Sequence, residues 1–261
     1  MRILKGLVAL QTMRAAAIIA RRGRSSLVSA PWLKDNLGDP KIRVLDVTQV
    51  LDRTTNTVAP SVDTYMTSHI PGAQFVDVGG RLSTPNPKLH NLAPSPEQFA
   101  AELSRQGVDD ESHVVLYSSS KVMWATRVWY LMTSFGFEGE VSVLDGGLKA
   151  WTRAGGGTES GVAPQKPTPT TLPIRQARYR AFVDKDAVLK AIDGDELIVD
   201  SLKPASFDGS KVSRYGRRGH IRTAVNVPYT SLLDEAGCFL PEPELRRAFA
   251  GVAENEPVLA Y

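Results

Sequence analysis

Val114-Val-Leu-Tyr-Ser-Ser-Ser-Lys-Val-Met123 is the stretch on which the fold turns. Its first four residues predict a short buried strand, and the next six a loop. From Trp124 to Phe135, Val128, Leu131 and Phe135 fall on one helical face. A strand, loop and helix in that order aim several backbone N–H groups at one spot, beside the positive end of the helix dipole. That is a ready anion cradle. Ser118, Ser119, Ser120 and Lys121 are therefore candidate anion contacts. A cysteine at the loop's first position would there become a thiolate nucleophile. Ser118 has no comparable acidity, and the plainer alternative is a loop that only caps its helix.

Outward from this stretch, Ile42 to Val47 and Val141 to Leu144 predict two further buried strands. A helix is predicted over 96–106, with Ser95 as N-cap, Pro96 at its first position and Gln98 as capping-box partner. Strands alternating with helices predict an α/β fold: a mainly parallel sheet with helices on both faces.

The same signals then return in the same order. Val44-Leu-Asp-Val47 resembles Ile198-Val-Asp-Ser201. His69-Ile-Pro-Gly-Ala-Gln-Phe-Val-Asp-Val78 resembles His220-Ile-Arg-Thr-Ala-Val-Asn-Val-Pro-Tyr229, and Val114-Val-Leu-Tyr117 resembles Val258-Leu-Ala-Tyr261. The offsets of 154, 151 and 144 residues indicate duplication of a whole domain rather than a short solenoid repeat. Between the copies, Gly155-Gly-Gly157 opens a stretch containing Pro164, Pro167, Pro169 and Pro173, which reads as an exposed linker. The predicted organisation is a basic leader over 1–27, a first domain over 28–154, a linker over 155–175 and a second domain over 176–261.

Val-Leu-Asp, His-Ile-Pro-Gly-Ala, Val-Val-Leu-Tyr-Ser-Ser-Ser and then Val143-Leu-Asp-Gly-Gly-Leu-Lys-Ala-Trp151 resemble the tandem rhodanese-type sulfurtransferases. Thiosulfate and 3-mercaptopyruvate sulfurtransferases belong to that family. The resemblance implies two rhodanese-like domains, of which the first is catalytically silent. In the second, a cysteine directly after a Pro-Val-Ile-Ala-Tyr-like strand takes sulfane sulfur from a donor. It becomes a persulfide and passes the sulfur to cyanide or a thiol, with no metal or organic cofactor. Pro257-Val-Leu-Ala-Tyr261 matches that strand, so the expected nucleophile would follow Tyr261. The expectation is thus of a second copy cut short, without counterparts of the 37 residues 118–154, and of 261 residues that are inactive as they stand. The resemblance also implies arginines shortly after the Val-Asp-Ser strand, where Leu202 and Ser206 stand here. Lys203 and the cluster Arg214, Arg217, Arg218 and Arg222 are the alternative anion contacts, with a solvated surface loop as the plainer reading of that cluster. The partners so implied are a small anionic sulfur donor and a thiol or cyanide acceptor, with a monomeric protein. A silent module that binds an anion or a protein partner is the rival reading.

Composition narrows the classes. Apolar residues are 42% and charged residues 23% of 261, as in an ordinary globular chain. The formal charge of +3 comes from six basic and no acidic side chains in residues 1–33; the remainder carries 25 basic and 28 acidic ones. No basic stripe is interleaved with aromatics, so nucleic acid is not expected as a partner. In the leader the longest uncharged run, Gly6 to Met13, is too short for a membrane span. Its Arg-rich, acid-free composition fits an organellar transit peptide as well as a start upstream of the true domain. The compartment is read as the cytoplasm, with the mitochondrial matrix as alternative. Cys238 is the one cysteine, which excludes an internal disulfide. Asp234 and Glu235 beside it predict a raised thiol pKa rather than a reactive thiol. His69 and His220 lack further ligands at metal spacing and are read, like Asp46 and Asp200, as groups that organise turns.

Overall fold

A computed structural model describes residues 26–261 apart from 53–56, 87–88, 90, 164–166, 179–180, 212–216 and 253–257, and it leaves aside the side chains of 51–58. The leader up to residue 25 and Arg214 therefore lie outside the described residues. Strands of the first copy are β1 (Leu27–Val28), β2 (Ile42–Asp46), β5 (Gln74–Phe75), β6 (His113–Tyr117) and β7 (Glu140–Leu144), with the hairpin β3 (Gln49–Asp52) and β4 (Thr57–Pro60) set apart. They are joined by helices α1 (Ala30–Asn36), α2 (Val62–Thr67), α3 (Pro96–Arg105), α4 (Met123–Ser134) and α5 (Gly147–Arg153). The sheet runs β1-β7-β6-β2-β5 and is parallel throughout.

Alternation along the central strand sorts the two faces. Val114 and Leu116 of β6 point to one side, where Phe99 and Leu103 of α3 and Val128, Leu131 and Met132 of α4 cover them. Val115 and Tyr117 point to the other, against Leu33 of α1 and Trp151 of α5. The chain is thus an α/β fold with helices on both faces of a parallel sheet.

The second copy contains α6 (Lys185–Asp193), β8 (Leu197–Asp200), α7 (Pro204–Phe207), β9 (Val225–Asn226), a 3-10 turn (Tyr229–Leu232), α8 (Glu242–Ala248) and β10 (Val258–Ala260). Its sheet runs β10-β8-β9, again parallel, in the order that β6-β2-β5 takes in the first copy.

Three local expectations change. Ser95 caps α3 by accepting from the Gln98 amide, but the Gln98 side chain donates to the carbonyls of Arg81 and Ser83, both at 3.0 Å, so no capping box closes. Those carbonyls lie in a turn outside the helices and strands. The first strand begins at Leu27, paired with Val143, inside the stretch assigned to the leader.

The Gly/Pro-rich stretch after the first copy is irregular, as its composition requires, and most of its described residues are exposed, but two of them anchor it to the core. Ala163 and Leu172 are buried, and Leu172 belongs to the core under α3 and α4. Its backbone finds partners at the end of α3, where helix carbonyls go unpaired: the Thr170 amide donates to the Ser104 carbonyl at 3.0 Å and the Leu172 amide to Ser104 Oγ at 2.9 Å. Gly107 (φ +70°) lets the strap pass, since a Cβ there would lie 2.6 Å from Pro167. Arg175 closes it with a two-pronged ion pair to Asp110, at 3.0 and 2.6 Å.

Candidate functional site

In both copies the C-terminal ends of the central strands meet in one hydrogen-bond frame. In the first copy, Asp46 Oδ1 accepts from the Thr48 amide (2.9 Å), the Asp46 carbonyl from the Val76 amide (2.9 Å) and the Tyr117 carbonyl from the Val47 amide (3.0 Å). Tyr117 Oη accepts from the Ile70 amide (3.2 Å), and the His69 ring bonds the Tyr65 carbonyl through Nδ1 (2.8 Å). In the second copy, Asp200 Oδ1 accepts from Leu202 (2.7 Å), the Asp200 carbonyl from Val227 (2.9 Å) and the Tyr261 carbonyl from Ser201 (3.0 Å). Tyr261 Oη accepts from Ile221 (2.8 Å), and His220 Nδ1 bonds the Phe207 carbonyl (2.7 Å). Even the ring contacts repeat, with His69 stacked on Tyr65 and His220 on Phe207. The histidines and aspartates hold turns and strand ends, and among the described residues no group of three or more His, Cys, Asp or Glu side chains could hold a metal ion.

This frame perturbs its acids. Burial pushes the Asp46 carboxyl up, with the bonds from Thr48 working against it, and burial likewise raises the Tyr117 phenol. Tyr261 is pushed up to about 12, chiefly by burial and secondarily by Asp200. Each phenol oxygen accepts one backbone amide, from Ile70 or Ile221.

Beyond Tyr117 the loop Ser118–Val122 leads into α4. Ser118 is buried, and its Oγ accepts from the Ser120 amide at 3.2 Å, as a group seated in the cradle would. The Ser119 amide is taken by Thr48 Oγ1 (2.9 Å), and Ser120 Oγ donates to the Gln49 carbonyl (2.8 Å). Gly147 lets the loop sit down, since a Cβ there would lie 2.4 Å from the Ser118 carbonyl oxygen. Ser118, Ser119, Ser120 and Lys121 line a cleft of about 210 Å³ closed on the far side by Tyr229 and the 233–237 segment of the second copy.

Lys203, Arg217, Arg218 and Arg222 do not line that cleft. Lys203 is exposed at the start of α7, three residues past Asp200, and Arg217 is exposed. Arg218 Nη1 donates to the Gly209 carbonyl (3.3 Å), and Arg222 pairs with Asp193 (2.8 Å). Sequence reasoning missed Thr48 and Gln49, whose ties to the loop span 71 residues and leave no local signal.

Cys238 sits in a turn whose ends are joined through Asp234, packed where a Cβ on Gly146 would lie 2.7 Å from its sulfur. Burial raises its thiol first, then the charges of Asp145 and Asp234, while Arg153 opposes them. The expected direction holds, but Asp145 from the first copy stands where Glu235 was expected. Asp145 also accepts the Phe239 amide (2.9 Å), and Arg153 donates to the Ala236 carbonyl (3.0 Å), so this turn is a contact between copies.

A rhodanese-like domain model matches residues 29–154. The 3-mercaptopyruvate sulfurtransferase of Escherichia coli K12 is 31% identical over 244 residues, covering 89% of this chain and 82% of that protein. The chain belongs to the rhodanese-like sulfurtransferase family. The human 3-mercaptopyruvate sulfurtransferase is likewise 31% identical, over 86% of this chain and 76% of its own. Among solved structures, the Escherichia coli 3-mercaptopyruvate sulfotransferase, described as a rhodanese fold, overlays with a TM-score of 0.73 at 30% identity, covering 91% of this chain and 88% of that one. The sulfur transferase subunit of yeast mitochondrial complex I overlays at 0.77 with 25% identity, covering 90% and 84%. These overlaps cover about nine-tenths of the chain, whereas the domain model is confined to the first copy.

Proposed function

We propose that the protein is a sulfurtransferase that moves sulfane sulfur from thiosulfate or 3-mercaptopyruvate to cyanide or a thiol. Its carrier would be a cysteine directly after Tyr261, the place that Ser118 takes after Tyr117. The observation that supports this reading is the repetition, bond for bond, of the frame around Tyr117 and Tyr261. The thiolate attacks the donor's outer sulfur, and the broken S–S or C–S bond leaves its electron pair on sulfite or on the pyruvate enolate, which is then protonated. The acceptor attacks the outer sulfur of the persulfide, and the thiolate is restored. Lys203, Arg217 and Arg218 would draw the anionic donor to that end of the sheet. Arg222 is part of the same proposal if it leaves Asp193. Ser118–Lys121 would serve as a silent anion contact, and this cleft is what favours the second reading, a binding module. We read the protein as a monomer of the cytoplasm, with the mitochondrial matrix as alternative; no helix among the described residues is long and apolar enough to cross a membrane.

Thiocyanate formation from each donor and cyanide, by the protein as its gene encodes it, tests the proposal. Turnover is expected, unchanged in Cys238→Ser, because nothing cradles that raised thiol. Loss of activity in Cys238→Ser, or no turnover with either donor, would overturn it.

A further inference from the structure

Four charged side chains line the cleft between the copies, two against two. Lys121 and Lys149 come from the first copy, Asp234 and Glu235 from the second. Opposite charges that face each other across a narrow gap ordinarily pair. Among the described residues, however, Lys121, Lys149 and Glu235 enter no ion pair. Asp234 gives one oxygen to its own turn, accepting the Cys238 amide at 2.9 Å. That turn is also pinned from outside: the Phe239 amide donates to Asp145 (2.9 Å) and Arg153 to the Ala236 carbonyl (3.0 Å). These ties hold the acidic wall in place, so the gap stays open instead of closing on a lysine–carboxylate pair.

The serine floor has little polar capacity left over. Ser120 Oγ donates to the Gln49 carbonyl, so the 3.2 Å contact between the Ser118 and Ser120 hydroxyls uses the Ser118 proton. The Ser119 amide is taken by Thr48 and the Ser120 amide by Ser118. Recognition therefore falls to the charged rim, helped on the basic side by the start of α4, which no side chain caps. A simple anion gains from the two ammoniums but is brought up to two carboxylates that repel it, and a simple cation meets the reverse. A molecule carrying both charges satisfies both walls. The cleft of about 210 Å³ equals the share of about seven liquid waters, at roughly 30 Å³ each. Val122, Ala125 and Leu144 add a short apolar surface to it.

We infer that this cleft is a binding site for a small zwitterion, an α-amino acid with a short uncharged side chain. Its carboxylate faces Lys121 and Lys149, and its ammonium faces Asp234 and Glu235. The inference rests on the reading of Ser118–Lys121 as an anion contact and supplies the other half of the ligand. Both copies build the site, and neither alone carries both signs of charge.

Calorimetric titration of the full 261-residue chain with L-alanine tests it, beside propionate, which keeps only the carboxylate, and ethylamine, which keeps only the ammonium. One-site binding of L-alanine is expected, about tenfold tighter than that of either half, the scale of one hydrogen bond to a charged partner. Glu235→Gln should weaken L-alanine binding by a similar factor and leave propionate no weaker, whereas Lys149→Gln should weaken both. Both side chains are exposed, so melting should not shift. Propionate or sulfate bound as tightly as L-alanine would overturn the inference and leave the anion contact standing. An L-alanine affinity unmoved in Glu235→Gln would overturn it too, since the ammonium would then lie elsewhere. No saturable binding of any probe sinks the inference and the anion contact together, while thiocyanate formation decides the sulfurtransferase reading separately.

Discussion

The first and second copies build one hydrogen-bond frame on very different amounts of buried surface. Around the first sheet, clusters of twenty and ten buried side chains lie on its two faces, so Tyr117 and His69 are fully enclosed. Around the second, the described residues supply a cluster of three, Ala191, Ile198 and Ala224; Tyr261 is 41% exposed and His220 stands in solvent. Yet the bond lengths from Ile70 to Tyr117 and from Ile221 to Tyr261 are 3.2 and 2.8 Å. The frame is set by strand register and by Asp, Tyr and His at strand ends, whereas the energy that keeps it comes from the layers packed over it. Among the described residues, the copies share the first and differ in the second.

The largest effect expected from that divergence is on isolated halves. Residues 27–182, with their strap, should unfold cooperatively, whereas 183–261 should show no cooperative transition by calorimetry or urea. The gap would be at least about 5 kcal/mol, the lower end of a whole domain's stability. A cooperative melt of 183–261 would break the contrast. Smaller is the effect of emptying the strap's anchor. Leu172→Ala should cost about 2–5 kcal/mol, as for a buried leucine, and the loss should appear in 27–182 as in the full chain. An unchanged melting temperature would mean that the strap does not belong to the first core. Smallest are the paired tyrosines. Tyr117→Phe orphans the buried Ile70 amide and should cost about 1–3 kcal/mol. Tyr261→Phe leaves an amide that water can reach and should cost under about 1 kcal/mol. Equal losses in urea titrations would show that burial does not separate the frames.

Much of the frame was legible before any coordinates. Val-Leu-Asp, His-Ile-Pro-Gly-Ala and the strand ending in tyrosine are each short and local, and their spacing carried the duplication and the parallel sheet. The loop Ser118–Lys121 was found because a strand followed by a polar run and a helix is itself a local pattern. The strap's irregular, mostly exposed backbone follows from its Gly and Pro, and what escaped notice is that Ala163 and Leu172 anchor it in the core. Leu172 escaped notice because one apolar residue among prolines has no period. Gln98 was assigned to its own helix, when a side chain of that length could also reach the carbonyls of Arg81 and Ser83. The turn holding Cys238 was judged by its sequence neighbours, and Asp145 came from the other copy.

What the amino-acid order determined unaided was periodicity and repetition: which runs become strands and helices, that the same signals recur in the same order, and that Ser118 heads the loop between a strand and a helix. These follow from steric and hydrophobic preferences acting over a few residues. What only the tertiary structure decided was which donor meets which acceptor across 60 to 94 residues, as in Ser201 with Tyr261, Thr48 with Ser119 and Phe239 with Asp145. Such pairs form once packed layers fix the relative height and rotation of distant segments, and nothing in either segment alone encodes that distance.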